Sequence, residues 1–210
     1  MLIIGLTGAS GAGKGLFAQT AHKYFGALHI DTDKLARRVV MPGQECLRKI
    51  AECFGETVLC EDGSLNRKEL AKVVFSDKQK LELLNSITHP AITHLVRDIL
   101  KDAQSSGTKI AIIDAPLLFE SGEDSVCDVT VGVVAQKDIR LKRIMKRDSI
   151  DENAAESRLV SGKDTKYFVD RCDYILENNY DEPNEFAEKC RELISAIISS
   201  APGTKTKSAK

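Results

Sequence analysis

The sequence predicts an α/β fold in which a parallel β-sheet is covered by helices on both faces. Three observations carry that prediction. Short apolar runs recur along the chain with no polar alternation, the pattern of strands buried on both sides. Helical stretches separate them, as parallel strands require. The first run also passes into a helix through a glycine-rich turn, Gly8-Ala9-Ser10-Gly11-Ala12-Gly13. A length of 210 residues fits one compact domain with a small insertion rather than two independent domains. That domain is expected over 1–200, with its sheet core at about 1–40, 105–136 and 170–200.

Leu2 to Leu6 reads as a buried strand that stops at Thr7-Gly8, and Leu16, Phe17, Ala21 and Tyr24 then recur near helical spacing as far as Gly26. A second strand is expected over Ala27 to Ile30, ending at Asp31. Asp33 then opens a helix through Leu35, Ala36, Val39 and Val40 that Pro42-Gly43 closes. From 41 to 104 helical patterns dominate, including Leu65 to Phe75 and a longer stretch from Lys78 to Ala103 interrupted by Pro90, so this region is expected to be a helical insertion. Lys109 to Asp114, broken by Pro116, and Val129 to Val134 read as further buried strands, and Asp173 to Leu176 as the last. Residues 137–169 are rich in charge and poor in large apolar groups, which predicts a mobile helical hairpin over the sheet rather than core. The 201–210 tail, with Pro, Gly, Ser, Thr and three lysines, is expected to be disordered. No internal repeat is present.

Charge excludes some functions. Thirty Lys+Arg balance 31 Asp+Glu, so the chain is not a polybasic nucleic-acid binder and any anion chemistry is local. No run approaches the ~18 apolar residues of a membrane span. Met1-Leu2-Ile3-Ile4 lacks the basic start of a signal peptide. A cytoplasmic protein with neither nucleic acid nor membrane as partner is expected; its oligomeric state is not written in the sequence. Six cysteines, none in a C-x-x-C pair, read as reduced structural thiols rather than zinc ligands or a disulfide scaffold.

Gly8 to Lys14 matches the G-x-x-x-x-G-K core of a phosphate-binding loop, placed between a strand and a helix as the mechanism needs. Glycines let successive N–H groups turn inward, the helix N-terminus adds partial positive charge, and Lys14 can reach β- and γ-phosphates. An ordinary strand-to-helix turn has no need of Lys14. The next residue in such loops is Ser or Thr, whose hydroxyl holds Mg²⁺, but here it is Gly15. Two readings follow: a metal site completed by an additional water, or a nucleotide binder with impaired catalysis.

A hydroxyl nucleophile attacking phosphorus needs an acceptor for its proton, and Asp33 at a strand's carboxyl end is a candidate, with a helix N-cap as its alternative role. Arg37 follows one turn later on the same face, whereas Arg38 points about 100° away. Arg140, Arg143 and Arg147 fall on one helical stripe that can face phosphates.

Taken together the landmarks resemble the dephospho-coenzyme A kinase family from about Ile3 to Asn179. They are Gly5-Leu6-Thr7-Gly8 with the loop through Lys14, Asp31 to Arg37, Asp62 to Arg67, His89-Pro90, Asp114 to Glu120, Arg140 to Asp148 and Asp173 to Asn179. The resemblance implies a P-loop NTPase fold of the nucleoside-monophosphate-kinase type, with a helical substrate region at about 41–104 and a lid at about 137–169. It implies transfer of the γ-phosphoryl group of ATP to the ribose 3′-hydroxyl of dephospho-coenzyme A, with Mg²⁺. On that pattern Gly8, Ser10, Gly11, Ala12, Gly13, Lys14, Gly15 and Leu16, with Arg143 and Arg147, bind ATP, and Lys14, Asp33 and Arg143 carry catalysis. Asp33, Arg37, His89, Pro116 and Leu117 hold the acceptor, and Asp114 holds the metal through water. Two positions depart from the pattern, Gly162 where glutamine is common and Phe168 where lysine or arginine is, so cationic grip on the nucleotide from that segment would fall to Lys163, Lys166 or Arg171. Competing readings are a kinase for another nucleoside or nucleotide acceptor and a non-catalytic nucleotide-binding regulator.

Overall fold

The computed structural model describes residues 1–160 and 162–200, so the expected disorder of 201–210 lies outside the described residues. The chain divides into two compact units, Met1–Ile30 with Ala103–Lys210, and Asp31–Asp102.

The first unit is built on the sheet. Its strands are β1 (Leu2–Gly8), β2 (Leu28–Asp31, whose last residue opens the second unit), β3 (Ile110–Asp114), β4 (Val129–Val134) and β5 (Tyr174–Glu177), in the spatial order β2-β3-β1-β4-β5. β1 runs parallel to β3 and β4, and β4 parallel to β5. The helices are α1 (Lys14–Phe25) and, after β4, α6 (Lys137–Asp148), α7 (Glu152–Val160), α8 (Thr165–Val169) and α9 (Pro183–Ser200).

The three inner strands β1, β3 and β4 carry little polar alternation because both of their faces are covered. Ile4, Leu6, Ile112, Val131 and Val133 are fully buried in one cluster with Phe17 and Ala21 of α1 and Phe186, Cys190 and Ile194 of α9. On the intervening positions, a Cβ on Gly5 would come within 2.8 Å of Cys127 Sγ and 2.9 Å of Leu118. Two aspartates close the sheet where its ladder begins. Asp128 Oδ2 accepts from Ile3 N at 2.7 Å. Asp173 Oδ2 accepts from both Thr130 N (2.8 Å) and Thr130 Oγ1 (2.7 Å), while Thr130 Oγ1 accepts from Asp173 N at 3.0 Å. Each carboxylate thus satisfies strand-end donors that would otherwise be orphaned.

The charge-rich 137–169 segment differs from its expected form. α6 and α7 enclose a small apolar cluster of their own, Ile144, Ala155 and Leu159. α8 instead belongs to the main core, because Phe168 is 2% exposed and packs over the bare backbone of Gly132. A segment average of charge hid one aromatic residue large enough to anchor a five-residue helix.

The second unit is helical: α2 (Thr32–Arg38), α3 (Glu45–Phe54), α4 (Arg67–Phe75) and α5 (Lys78–Ser105). α2 is capped by Asp31, not by Asp33. Asp31 keeps extended backbone (φ −92°, ψ 106°) and its Oδ1 accepts from Lys34 N at 3.1 Å, which leaves Asp33 inside the first turn. α4 starts on Asn66, whose Oδ1 accepts from Glu69 N. Pro90 does not interrupt α5, which runs through it for 28 residues. The proline removes the donor that would reach Ser86 O; the buried Cys46 thiol donates to the neighbouring carbonyl, Ile87 O, at 3.5 Å. Burial pushes that thiol's pKa up, consistent with a structural cysteine. No helix among the described residues is long and apolar enough to cross a membrane.

Candidate active site

β1 delivers Gly8 to the carboxyl edge of the sheet and α1 begins six residues later at Lys14, so Ala9 to Gly13 form the turn between them. Three glycines are dictated by geometry. Gly8 has φ +144° and a Cβ there would sit 2.1 Å from Val133 O; Gly13 has φ +112° and would meet Asn178 Nδ2 at 2.3 Å. Gly11, at φ +78°, lies against the α6 backbone, with Arg140 O 2.8 Å from its missing Cβ. A side chain at any of the three strains the backbone and collides with a neighbour. Lys14 Nζ donates to Gly8 O at 3.0 Å, so the ammonium arches back over the loop it belongs to. At Gly15, by contrast, nothing lies within 4 Å of where a Cβ would stand, and the backbone is ordinary. The missing hydroxyl is therefore not a packing requirement.

α6 reaches the loop through its arginines. Arg140 Nε donates to Ser10 O at 2.9 Å. Arg143 donates to Asn178 O (3.0 Å), Asn178 Oδ1 (3.2 Å) and Tyr180 O (2.7 Å), and burial lowers its pKa somewhat. Arg147 turns to Asp148 instead, at 2.8 and 2.9 Å, and Arg158 pairs with the same carboxylate. The three arginines expected on one stripe thus have three surroundings: the loop, the segment after β5, and a surface carboxylate.

Asn178 was not legible as a site residue. It is 4% exposed, its Nδ2 donates to Ala12 O at 2.7 Å and its Oδ1 accepts from Arg143, so one amide ties the phosphate loop to α6. Its sequence signals are its place in the Asp173 to Asn179 landmark and a polar side chain directly after the β5 run, and neither says what it touches. Asn178→Ala leaves Ala12 O and Arg143 short of partners, and a loss of about 1–3 kcal/mol is expected for such groups. The check is urea unfolding, read as a lowered midpoint with an unchanged slope.

Asp114 ends β3 with Oδ2 3.4 Å from His29 Nε2. In the turn that follows, Pro116 O accepts from Thr7 Oγ1 at 3.4 Å and Leu117 is exposed. This turn is fastened at its far end by Glu120, which pairs with Lys163 at 3.0 Å. Burial works to raise the Glu120 pKa, but hydrogen bonds from Lys163 and Tyr167 outweigh it and hold the carboxyl below its usual range. Lys163 and Arg171 lie over the Tyr167 ring at 4.8 and 4.2 Å, and Lys166 pairs with Asp170. Lys163 and Arg171 are thus engaged at Tyr167, whereas Lys166 makes only an exposed pair local to α8. The Phe168 position is core, where a cation would be buried.

Asp33, Arg37 and His89 belong to the second unit. α2 buries Thr32 and Leu35 and presents Asp33 and Arg37 on its exposed side, one turn apart. His89 is half-buried in α5.

The dephospho-CoA kinase family (CoaE) matches residues 2–184. The chain belongs to this family. The dephospho-CoA kinase of Moorella thermoacetica is 46% identical over 167 residues, covering 79% of this chain and 78% of that protein. That of Syntrophotalea carbinolica is 40% identical over 206 residues, covering 98% and 95%. The crystal structure of the Thermus thermophilus protein TT1252 superposes with a TM-score of 0.79 at 27% identity, covering 96% of this chain and 98% of that one. The dephospho-CoA kinase reaction is ATP-dependent phosphorylation of dephospho-coenzyme A, the final step of coenzyme A biosynthesis, and it fits a parallel-sheet kinase fold with a phosphate loop.

The donor set also fits the metal such kinases use. Among the described residues no three His, Cys, Asp or Glu side chains cluster as an all-protein metal cage. Mg²⁺ seldom needs one: it keeps several waters and is held by substrate phosphates with one or two carboxylates. Asp114, 16% exposed at the end of a central strand, is a carboxylate of that kind.

Proposed function

We propose that this dephospho-CoA kinase family member transfers the γ-phosphoryl group of ATP to the ribose 3′-hydroxyl of dephospho-coenzyme A with its own residues in the following roles. The loop from Gly8 to Leu16 holds the polyphosphate through inward-turned N–H groups, and Lys14 neutralises charge on the β- and γ-phosphates. Arg143, with donors left beyond its three backbone and amide bonds, adds charge at the transferring group, and Arg147 exchanges Asp148 for nucleotide. Asp33 accepts the 3′-hydroxyl proton, while Arg37, His89, Pro116 and Leu117 orient the acceptor. Asp114 would hold Mg²⁺ through water, and the metal would supply charge neutralisation at the transferring phosphoryl group. The reaction takes place in the cytoplasm.

The observation that carries this reading is the phosphate loop itself: three glycines that admit no side chain, followed by Lys14, in a chain matching the family along most of its length. Its test is mass detection of coenzyme A after incubating pure protein with ATP, Mg²⁺ and dephospho-coenzyme A. No product, with intact nucleotide binding, would overturn it.

Gly15 offers a second test. The space beside it is open, so Gly15→Ser can place a hydroxyl in the first turn without collision. That oxygen replaces an ordered water whose immobilisation costs up to about 2 kcal/mol. The Mg²⁺ midpoint of activity at saturating ATP is expected to fall in Gly15→Ser. Identical midpoints would show that this position never bears on the metal.

A further inference from the structure

Arg140 is 7% exposed. Its Nε donates to Ser10 O in the phosphate loop, and its own backbone is pressed against Gly11. Among the described residues it forms no ion pair with a carboxylate, unlike its helix neighbour Arg147. Burial alone acts on its pKa, lowering it, with no acidic neighbour to offset the loss of water. A guanidinium in this condition is costly, because desolvation is normally balanced by an opposite charge.

Its place explains why that cost persists. The Ser10 carbonyl is one of the loop's backbone acceptors, and an acceptor turned toward bound phosphate would repel it. Arg140 holds that carbonyl on the α6 side. The same guanidinium adds a full positive charge behind a cradle that otherwise supplies only partial charges and Lys14.

We propose that Arg140 is a positioning residue for the nucleotide: it orients the phosphate loop through Ser10, and its uncompensated charge is balanced only when polyphosphate binds. The proposal rests on the phosphate-loop reading above. It predicts a protein less stable empty than it could be, with the deficit recovered on binding.

The test uses inorganic tripolyphosphate, which has neither base nor sugar, measured by calorimetry on the full chain. Arg140→Gln keeps a donor for Ser10 O but removes the charge; Arg140→Lys keeps the charge. Arg140→Gln is expected to bind tripolyphosphate about tenfold more weakly, with KM for ATP raised in proportion and KM for dephospho-coenzyme A unchanged. Its melting temperature without ligand should equal or exceed that of wild type. Arg140→Lys should bind within threefold of wild type. Equal binding by Arg140→Gln, or Arg140→Lys as weak as Arg140→Gln, overturns the proposal, and so does a ligand-free melting temperature several degrees lower in Arg140→Gln. If that variant does not fold, the expected stability deficit of the empty protein is overturned, and Arg140→Lys against wild type decides the binding role, retained affinity supporting the charge and lost affinity overturning it. Wild-type protein that ignores tripolyphosphate would sink the phosphate-loop reading itself, whereas tight wild-type binding with an indifferent Arg140→Gln sinks only the role of Arg140.

Discussion

Asp33→Asn is expected to lower turnover by about 10²–10⁴-fold, the range of a general base in phosphoryl and related transfers, while ATP affinity stays within about twofold. The exchange is nearly isosteric and removes the negative charge together with the capacity to accept a proton. Its interpretation depends on a detail of α2: the cap is Asp31, whose Oδ1 holds Lys34 N, so Asp33 can lose its charge without uncapping the helix. What the helix loses is one acidic residue in its first turn, about 0.3–1 kcal/mol. A base therefore shows as a collapse of kcat with a nearly constant melting temperature. Single-turnover transfer with radiolabelled ATP is the measurement, and a variant as fast as wild type would remove Asp33 from the chemistry.

Lys14→Ala is expected to lower kcat by about 10²–10³-fold, the cost of removing one strong electrostatic donor from a phosphoryl-transfer site. KM for ATP should rise far less, because the loop's N–H groups and the α1 N-terminus still bind the polyphosphate. The ammonium is already held at the cradle by Gly8 O at 3.0 Å, so binding phosphate exchanges a neutral acceptor for an anionic one with little side-chain rearrangement. Steady-state kinetics within twofold of wild type would overturn the role of Lys14.

The inner strands could be read from the sequence because they are buried on both faces: Ile110–Asp114 and Val129–Val134 are largely apolar runs, and each forms a strand within a residue of its expected bounds. The phosphate loop was legible for a related reason, since glycines and lysine at fixed spacing have few other uses. Legibility failed where a choice depends on contacts distant in sequence. Asp31 and Asp33 are equally good caps by type, and only the extended backbone at Asp31, as the last residue of β2, decides between them. Asn178 acts on Ala12, 166 residues away, and no local pattern encodes that. Phe168 sits among charged neighbours, yet the bare backbone of Gly132 makes room for it.

The fastening of α8 has an optical consequence. The chain contains no tryptophan and four tyrosines, so its intrinsic ultraviolet emission is tyrosine emission. Tyr167 stands apart in its hydrogen bond to Glu120; Lys163 and Arg171 lie over its ring, as Lys23 and Arg191 lie over that of Tyr24. Burial first, then the Glu120 hydrogen bond and charge, push its ionisation up to about 12. The folded protein favours the neutral phenol, so this contribution to stability is whole below the ordinary tyrosine value of about 10 and is lost as pH climbs toward about 12. Because Glu120 lies in the turn that follows Asp114 and carries Pro116 and Leu117, the Tyr167 chromophore is wired to the rim of the candidate site. The molecule thereby carries its own label for following that turn without an attached dye.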